Sequence, residues 1–233
     1  MNKKNNKVSS FDNSSSEAKK LLKICGMKYV DNIRQVAELK PDYLGFIFYE
    51  KSKRNFEGII PEIPKGIKKT GVFVNDYLEI LVSLAEEYQL EALQLHGDES
   101  VEYIKELKGH LERSREEKRL PKVEIIKVFG IKDEFDFSVL EPYEAVVDYF
   151  LFDTKGKERG GNGVTFDWKV LEGYNSNKPF FLSGGIGLNE VAKVKEIIKT
   201  DLPVYALDVN SKFEKEPGLK SVKDLKKFIS QVL

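Results

Sequence analysis

The chain predicts a single α/β domain, a (β/α)8 barrel of the TIM type whose second helix is irregular or missing. Three observations carry this expectation. Eight short apolar runs have strand character, amphipathic stretches of helical period lie between most of them, and polar or glycine-rich motifs follow nearly every run. Such alternation means parallel strands, which an open doubly wound sheet or a closed barrel would both satisfy. Eight repeats favour closure. A barrel also gathers all its strand ends into one mouth, whereas an open sheet concentrates them at one switch point.

Residues 1–19 are rich in Asn, Ser and Lys, and Val8 and Phe11 are their only large apolar side chains, too few to offset ordering entropy. This segment reads as a disordered polar tail, leaving residues 20–233 as the barrel. The predicted strands are 21–25, 43–48, 70–74, 92–95, 123–128, 149–152, 180–182 and 204–207. Helical period is clearest in Leu81, Leu84, Ala85 and Tyr88, in Val191, Val194 and Ile198, and in Val222, Leu225, Ile229 and Val232 after the last strand. Gly58, Pro61, Pro64 and Gly66 leave no room for a full helix after the second strand, so a short turn or loop is expected there. Residues 111–120 read as a charged, solvated extension of the helix after the fourth strand.

Composition narrows the function. With 41% hydrophobic and 33% charged residues the chain has an ordinary globular balance. Lys plus Arg and Asp plus Glu both number 38, so no overall field attracts nucleic acid or an anionic membrane. Cys25 is the only cysteine, which rules out an intrachain disulfide and fits a reducing compartment. No apolar run has the length of a membrane span, and the expected location is the cytoplasm.

The strand ends carry the chemistry. Ser183-Gly184-Gly185 follows the seventh strand, and Asp208-Val209-Asn210-Ser211 follows the eighth, the two loops that usually hold phosphate in such barrels. A plain glycine turn is the competing reading. Gly160-Gly161-Asn162-Gly163 after the sixth strand suits either a mobile lid or an ordinary flexible loop. Lys23 and Cys25 share one side of the first strand, so the thiol belongs at the mouth if either faces inward. A free cysteine is also often an inert small hydrophobe. Asp153 ends the sixth strand after apolar residues, where desolvation would raise its pKa towards that of an acid catalyst, although an N-cap role is the plainer alternative. Arg54 closes a basic cluster after the second strand and is either a bidentate carboxylate partner or a solvated loop charge. His96, His110 and one cysteine cannot assemble a zinc site of familiar spacing, and no metal is expected. Nucleotide-binding glycine motifs in their required context are absent from the sequence.

Taken together, Lys23-Ile24-Cys25-Gly26, Gly45-Phe46-Ile47-Phe48-Tyr49 with Ser52-Lys53-Arg54, Gly71-Val72-Phe73-Val74-Asn75, Leu93-Gln94-Leu95-His96-Gly97, Phe152-Asp153-Thr154, Ser183-Gly184-Gly185 and Leu207-Asp208-Val209 resemble the phosphoribosylanthranilate isomerases of tryptophan biosynthesis. The resemblance runs from about Leu21 to the C-terminus. It implies an Amadori rearrangement of N-(5-phosphoribosyl)anthranilate to 1-(2-carboxyphenylamino)-1-deoxyribulose 5-phosphate. Cys25 is then similar to the family's general base and Asp153 to its general acid. Arg54, His96 and Asp208 fall where substrate would be contacted, with Arg54 facing the anthranilate carboxylate. Phosphate binding falls to Gly161, Gly163, Ser183, Gly184, Gly185, Asn210 and Ser211. Such chemistry implies a small phosphosugar substrate and no cofactor, and it leaves monomer and homodimer both open. Competing readings are another phosphosugar barrel, such as a pentose-phosphate epimerase or an indole-glycerol-phosphate synthase, and a catalytically dead barrel that only binds such metabolites.

Overall fold

The computed structural model describes residues 20–154 and 167–233. The predicted tail and the loop holding Gly161 and Gly163 lie outside those residues. Eight parallel strands, β1 (Leu21–Ile24), β2 (Tyr43–Ile47), β3 (Lys68–Phe73), β4 (Ala92–Leu95), β5 (Glu124–Ile131), β6 (Tyr149–Thr154), β7 (Phe180–Leu182) and β8 (Val204–Val209), pair in sequence order. β1 closes the barrel against β8 with Leu21 opposite Ala206 and Lys23 opposite Asp208.

Period-two alternation sorts the side chains. On β1, Leu22 and Ile24 join the core outside the strands, whereas Lys23 points inward and is fully buried. Tyr43, Ala92, Ile126, Leu151, Phe181 and Ala206 fill the interior. Burying one such aromatic or branched side chain contributes about 1.5–3 kcal/mol. The same parity, carried two residues along each strand, brings Asp153 after Leu151, Ser183 after Phe181 and Asp208 after Ala206 to the C-terminal mouth. The opposite end is closed by polar contacts, with the Tyr43 hydroxyl donating to Glu124 at 2.9 Å and lying 3.2 Å from that of Tyr205.

The helices are α1 (Val30–Ala37), α2 (Leu78–Tyr88), α3 (Val101–Glu116), α4 (Val191–Ile197) and α5 (Val222–Val232). Ser100 starts α3 by accepting from the Tyr103 amide at 3.2 Å, and Ser221 starts α5 in the same way. No helix follows β2. Phe56 fills the space by packing on Phe46, Phe48 and Tyr88, as the glycines and prolines of this stretch led one to expect. α3 runs into the predicted extension as far as Glu116 and stops there because Lys118 turns left-handed at φ 59° and its neighbour Arg119 bonds back to the Ser114 carbonyl; the extension is not wholly solvated, since Leu111, Ser114 and Leu120 are buried. Among the described residues the chain makes 3-10 turns after β5 and β6, Phe137–Tyr143 and Trp168–Gly173, and no full helix. Pro142 disfavours a longer helix in the first, and Phe135 and Phe137 pack on Phe152 in its place.

One element was not foreseen. A two-stranded antiparallel hairpin, β9 (Glu214–Glu216) and β10 (Leu219–Lys220), stands between β8 and α5. Among the described residues no helix is long and apolar enough to cross a membrane.

Candidate active site

Cys25 continues β1 by donating its amide to Val209 of β8 at 2.9 Å, and Gly26, at φ 74°, then turns the chain away. The thiol is buried at 3% exposure. It rests against β2 at Gly45, where a Cβ would stand only 2.8 Å from the sulfur, so glycine is required for the close approach. Beneath it the Lys23 ammonium meets Asp208 Oδ1 at 2.8 Å, with both side chains almost wholly out of water. Burial of Lys23 opposes its charge, but Asp208 and the thiol outweigh this and hold its pKa above the ordinary value. For Cys25 burial dominates and pushes the thiol up, while the Lys23 and Lys220 ammoniums pull it back in part.

Asp208 joins this side of the mouth to the other. Its second oxygen accepts from the Ser183 hydroxyl at 3.1 Å, and that hydroxyl lies 3.5 Å from Asp153. Asp153 accepts from the Thr154 amide at 2.8 Å, and its other oxygen is 3.8 Å from His96 Nε2. Burial, followed by the nearby Asp208 charge, pushes its carboxyl up to about 6. Asp153 and the Thr154 that follows it both belong to β6, so Asp153 does not stand at a helix N-cap. The Gln94 amide lies 3.2 Å from His96 Nδ1, and its buried Oε1 has no partner among the described residues.

Arg54 sits across the same opening, but not as the solvated loop charge that sequence left open. Glu214 of the hairpin grips it, with Nε 2.9 and 3.0 Å from the two carboxylate oxygens and Nη2 2.7 Å from Oε2. Cys25, Asp153, His96, Asp208 and Arg54 line one cavity that opens to solvent. Gly184 and Gly185, both left-handed at φ 89° and 68°, line it too, with Asn210, Ser211 and Lys212. Ser183 turns its hydroxyl to Asp208 and Asp153, not outward as a simple phosphate loop would have it. Asn210 also has a partner, its Oδ1 accepting from Lys220 at 2.6 Å.

Glu214 and Lys220 were missed by sequence reasoning. Pro217-Gly218 between them is a turn signal, but flanking segments this charged and short lack the apolar alternation that marks strands.

Moving protons between fixed side chains is the chemistry this mouth can do, which puts the protein among barrel isomerases. The family model for N-(5'-phosphoribosyl)anthranilate (PRA) isomerase matches residues 22–231, and the chain belongs to that family. It is 42% identical to the N-(5'-phosphoribosyl)anthranilate isomerase of Parabacteroides distasonis over 91% of this chain and 93% of that one. The Thermoanaerobacter pseudethanolicus relative of the same name is 39% identical over 91% and 97%. Among solved structures, the phosphoribosyl anthranilate isomerase of Thermotoga maritima superposes with a TM-score of 0.74 at 30% identity, covering 91% of this chain and 98% of its own. A further phosphoribosyl anthranilate isomerase structure, in complex with reduced 1-(o-carboxyphenylamino)-1-deoxyribulose 5-phosphate, matches at 0.71 and 28% over the same shares.

Proposed function

We propose that the chain carries out the Amadori rearrangement of N-(5'-phosphoribosyl)anthranilate in tryptophan biosynthesis, with Asp153 as general acid and Cys25 as general base. The carrying observation is that one mouth holds both groups, with the Asp153 carboxyl raised to about 6. The Asp153 proton goes to the furanose ring oxygen as the bond from that oxygen to C1 breaks, and the anilino nitrogen forms the C=N bond. Cys25, as thiolate, takes the proton from C2. The C–H electron pair becomes the C1–C2 double bond, and the iminium electrons return to nitrogen. The resulting enol then tautomerises to the ketose, gaining a proton at C1 and losing one from oxygen.

His96, 3.8 Å from Asp153, and Asp208, between Lys23 and Ser183, contact the sugar in this reading. The phosphate lies over Gly184, Gly185 and Ser211. Support for this comes from two consecutive left-handed glycines on the cavity wall, whose bare backbone admits a close anion, and from the Lys212 charge beside them. Purified chain added to freshly made, fluorescent phosphoribosylanthranilate should make the signal decay; no decay above the uncatalysed rate would defeat the reading.

Arg54 takes the anthranilate carboxylate. Truncating one partner of a buried, hydrogen-bonded charge pair costs about 2–5 kcal/mol, so Arg54→Ala is expected to lower kcat/KM by roughly 30-fold or more. Wild type should strongly prefer the natural substrate to an analogue without the carboxylate, and the alanine variant should treat the two nearly alike. A preference that persists undiminished would mean the carboxylate is read elsewhere.

A further inference from the structure

The hairpin after β8 holds charged side chains that take no part in the proton transfers themselves. Glu214 Oε1 receives three donors: Arg54 Nε at 2.9 Å, the Gly218 amide at 3.0 Å and Lys220 Nζ at 2.7 Å. The Glu214 and Lys220 side chains are 5% and 0% exposed. Burial pushes the Glu214 carboxyl up, but Arg54 and Lys220 outweigh it and keep the group below its ordinary value, hence charged. Lys220 is itself fixed from two sides. Its ammonium meets Asn210, and its backbone N–H and C=O are both bonded by the buried Asn32 of α1, at 2.7 and 3.0 Å. The Arg54 stem lies against Gly26, the residue after Cys25: a Cβ there would stand 2.9 Å from its Cδ, so the glycine makes room for the arginine.

We propose that Glu214 and Lys220 are positioning residues for the substrate carboxylate: they hold the Arg54 guanidinium in one plane at the cavity wall. The inference rests on the reading of Arg54 given above. With Glu214 holding Arg54 and Lys220 holding Glu214, an incoming carboxylate meets an arginine that is already ordered. Arginine carries several freely rotating bonds, and ordering such a side chain only on binding corresponds to about 2- to 12-fold in affinity.

The test measures KM and kcat for phosphoribosylanthranilate and for the analogue lacking the carboxylate, in Arg54→Ala, Glu214→Gln and the double variant Glu214→Gln with Lys220→Met. The double variant removes both buried charges together, so it avoids the uncompensated ammonium that could unfold the single variant. The expected result is a KM for the natural substrate raised about 2- to 12-fold in both Glu214 variants, with the KM of the analogue nearly unchanged; kcat falls for both substrates alike in the double variant, because the Lys220 ammonium that helps lower the Cys25 thiol is gone. Glu214→Asp should recover part of the loss. Tighter binding of the natural substrate by Glu214→Gln would overturn the inference, because Glu214 would then be a competitor for Arg54. Equal rises in KM on both substrates would also overturn it, leaving a purely structural hairpin. If Arg54→Ala keeps the carboxylate preference, the reading of Arg54 falls and the inference with it. If that variant loses the preference while the double variant retains wild-type KM, only the positioning role falls.

Discussion

Asp153→Asn is expected to lower kcat by about 100-fold or more, since general acid-base groups contribute about 10²- to 10⁴-fold. The pH profile gives the sharper signature. With the Asp153 carboxyl at about 6 and the Cys25 thiol raised above its ordinary value, the resting site holds a carboxylate and a thiol. The reactive form is the reverse, an acid and a thiolate, present as a minor species of the same total charge. Its population rises with pH up to about 6, stays level, and falls beyond the thiol's pKa. Removing the carboxyl should erase the break near pH 6, so that residual activity climbs steadily towards the thiol's own titration. A variant whose break at that pH is unchanged would take Asp153 out of the mechanism.

The same shift has a stability consequence whose sign follows from linkage. A carboxyl with a folded-state pKa above its unfolded value binds protons more tightly when folded, so its stabilising contribution is present at low pH and fades between about 4 and 6. Above that window the buried charge costs on the order of 3 kcal/mol. Asp153→Asn should therefore be more resistant to urea than wild type at pH 8 and lose that advantage at pH 4. An unchanged difference between the two pH values would show that burial of this carboxyl is not costly.

Cys25→Ala is the second large effect, an expected loss of about 100-fold or more in kcat with little change in KM. The thiol sits in a pocket already fitted to it by Gly45, and alanine leaves a void of only one sulfur, so the fold should survive. Serine should not rescue, because its hydroxyl ionises far less readily than a thiol beside the same Lys23 cation. Near wild-type turnover by the alanine variant would make the thiol a packing group and reassign the base.

The folding pattern was legible because it is local. Apolar runs and helical periods depend on neighbours a few residues away, so all eight strands appear at or within a few residues of their predicted places. The missing helix after β2 was equally readable, since the prolines and glycines of residues 58–66 act on their own backbone. Strand parity likewise put Lys23 on the same side as Cys25. Motif order along the chain then pointed to the family.

Partnerships at the mouth were not legible. Asp208 meets Lys23 across 185 residues and Glu214 meets Arg54 across 160, separations that only barrel closure brings within hydrogen-bonding range. Sequence therefore determined by itself the strand count, which residues of a strand share a side and the residue types at the strand ends, because all three follow from local period. Only the tertiary structure decided that Arg54 is clamped, that Ser183 turns to Asp208 and Asp153, and that a short charged hairpin builds one wall. Those outcomes depend on which charges share a low-dielectric corner, and electrostatic energy there is set by distance through space, which no spacing along the chain encodes.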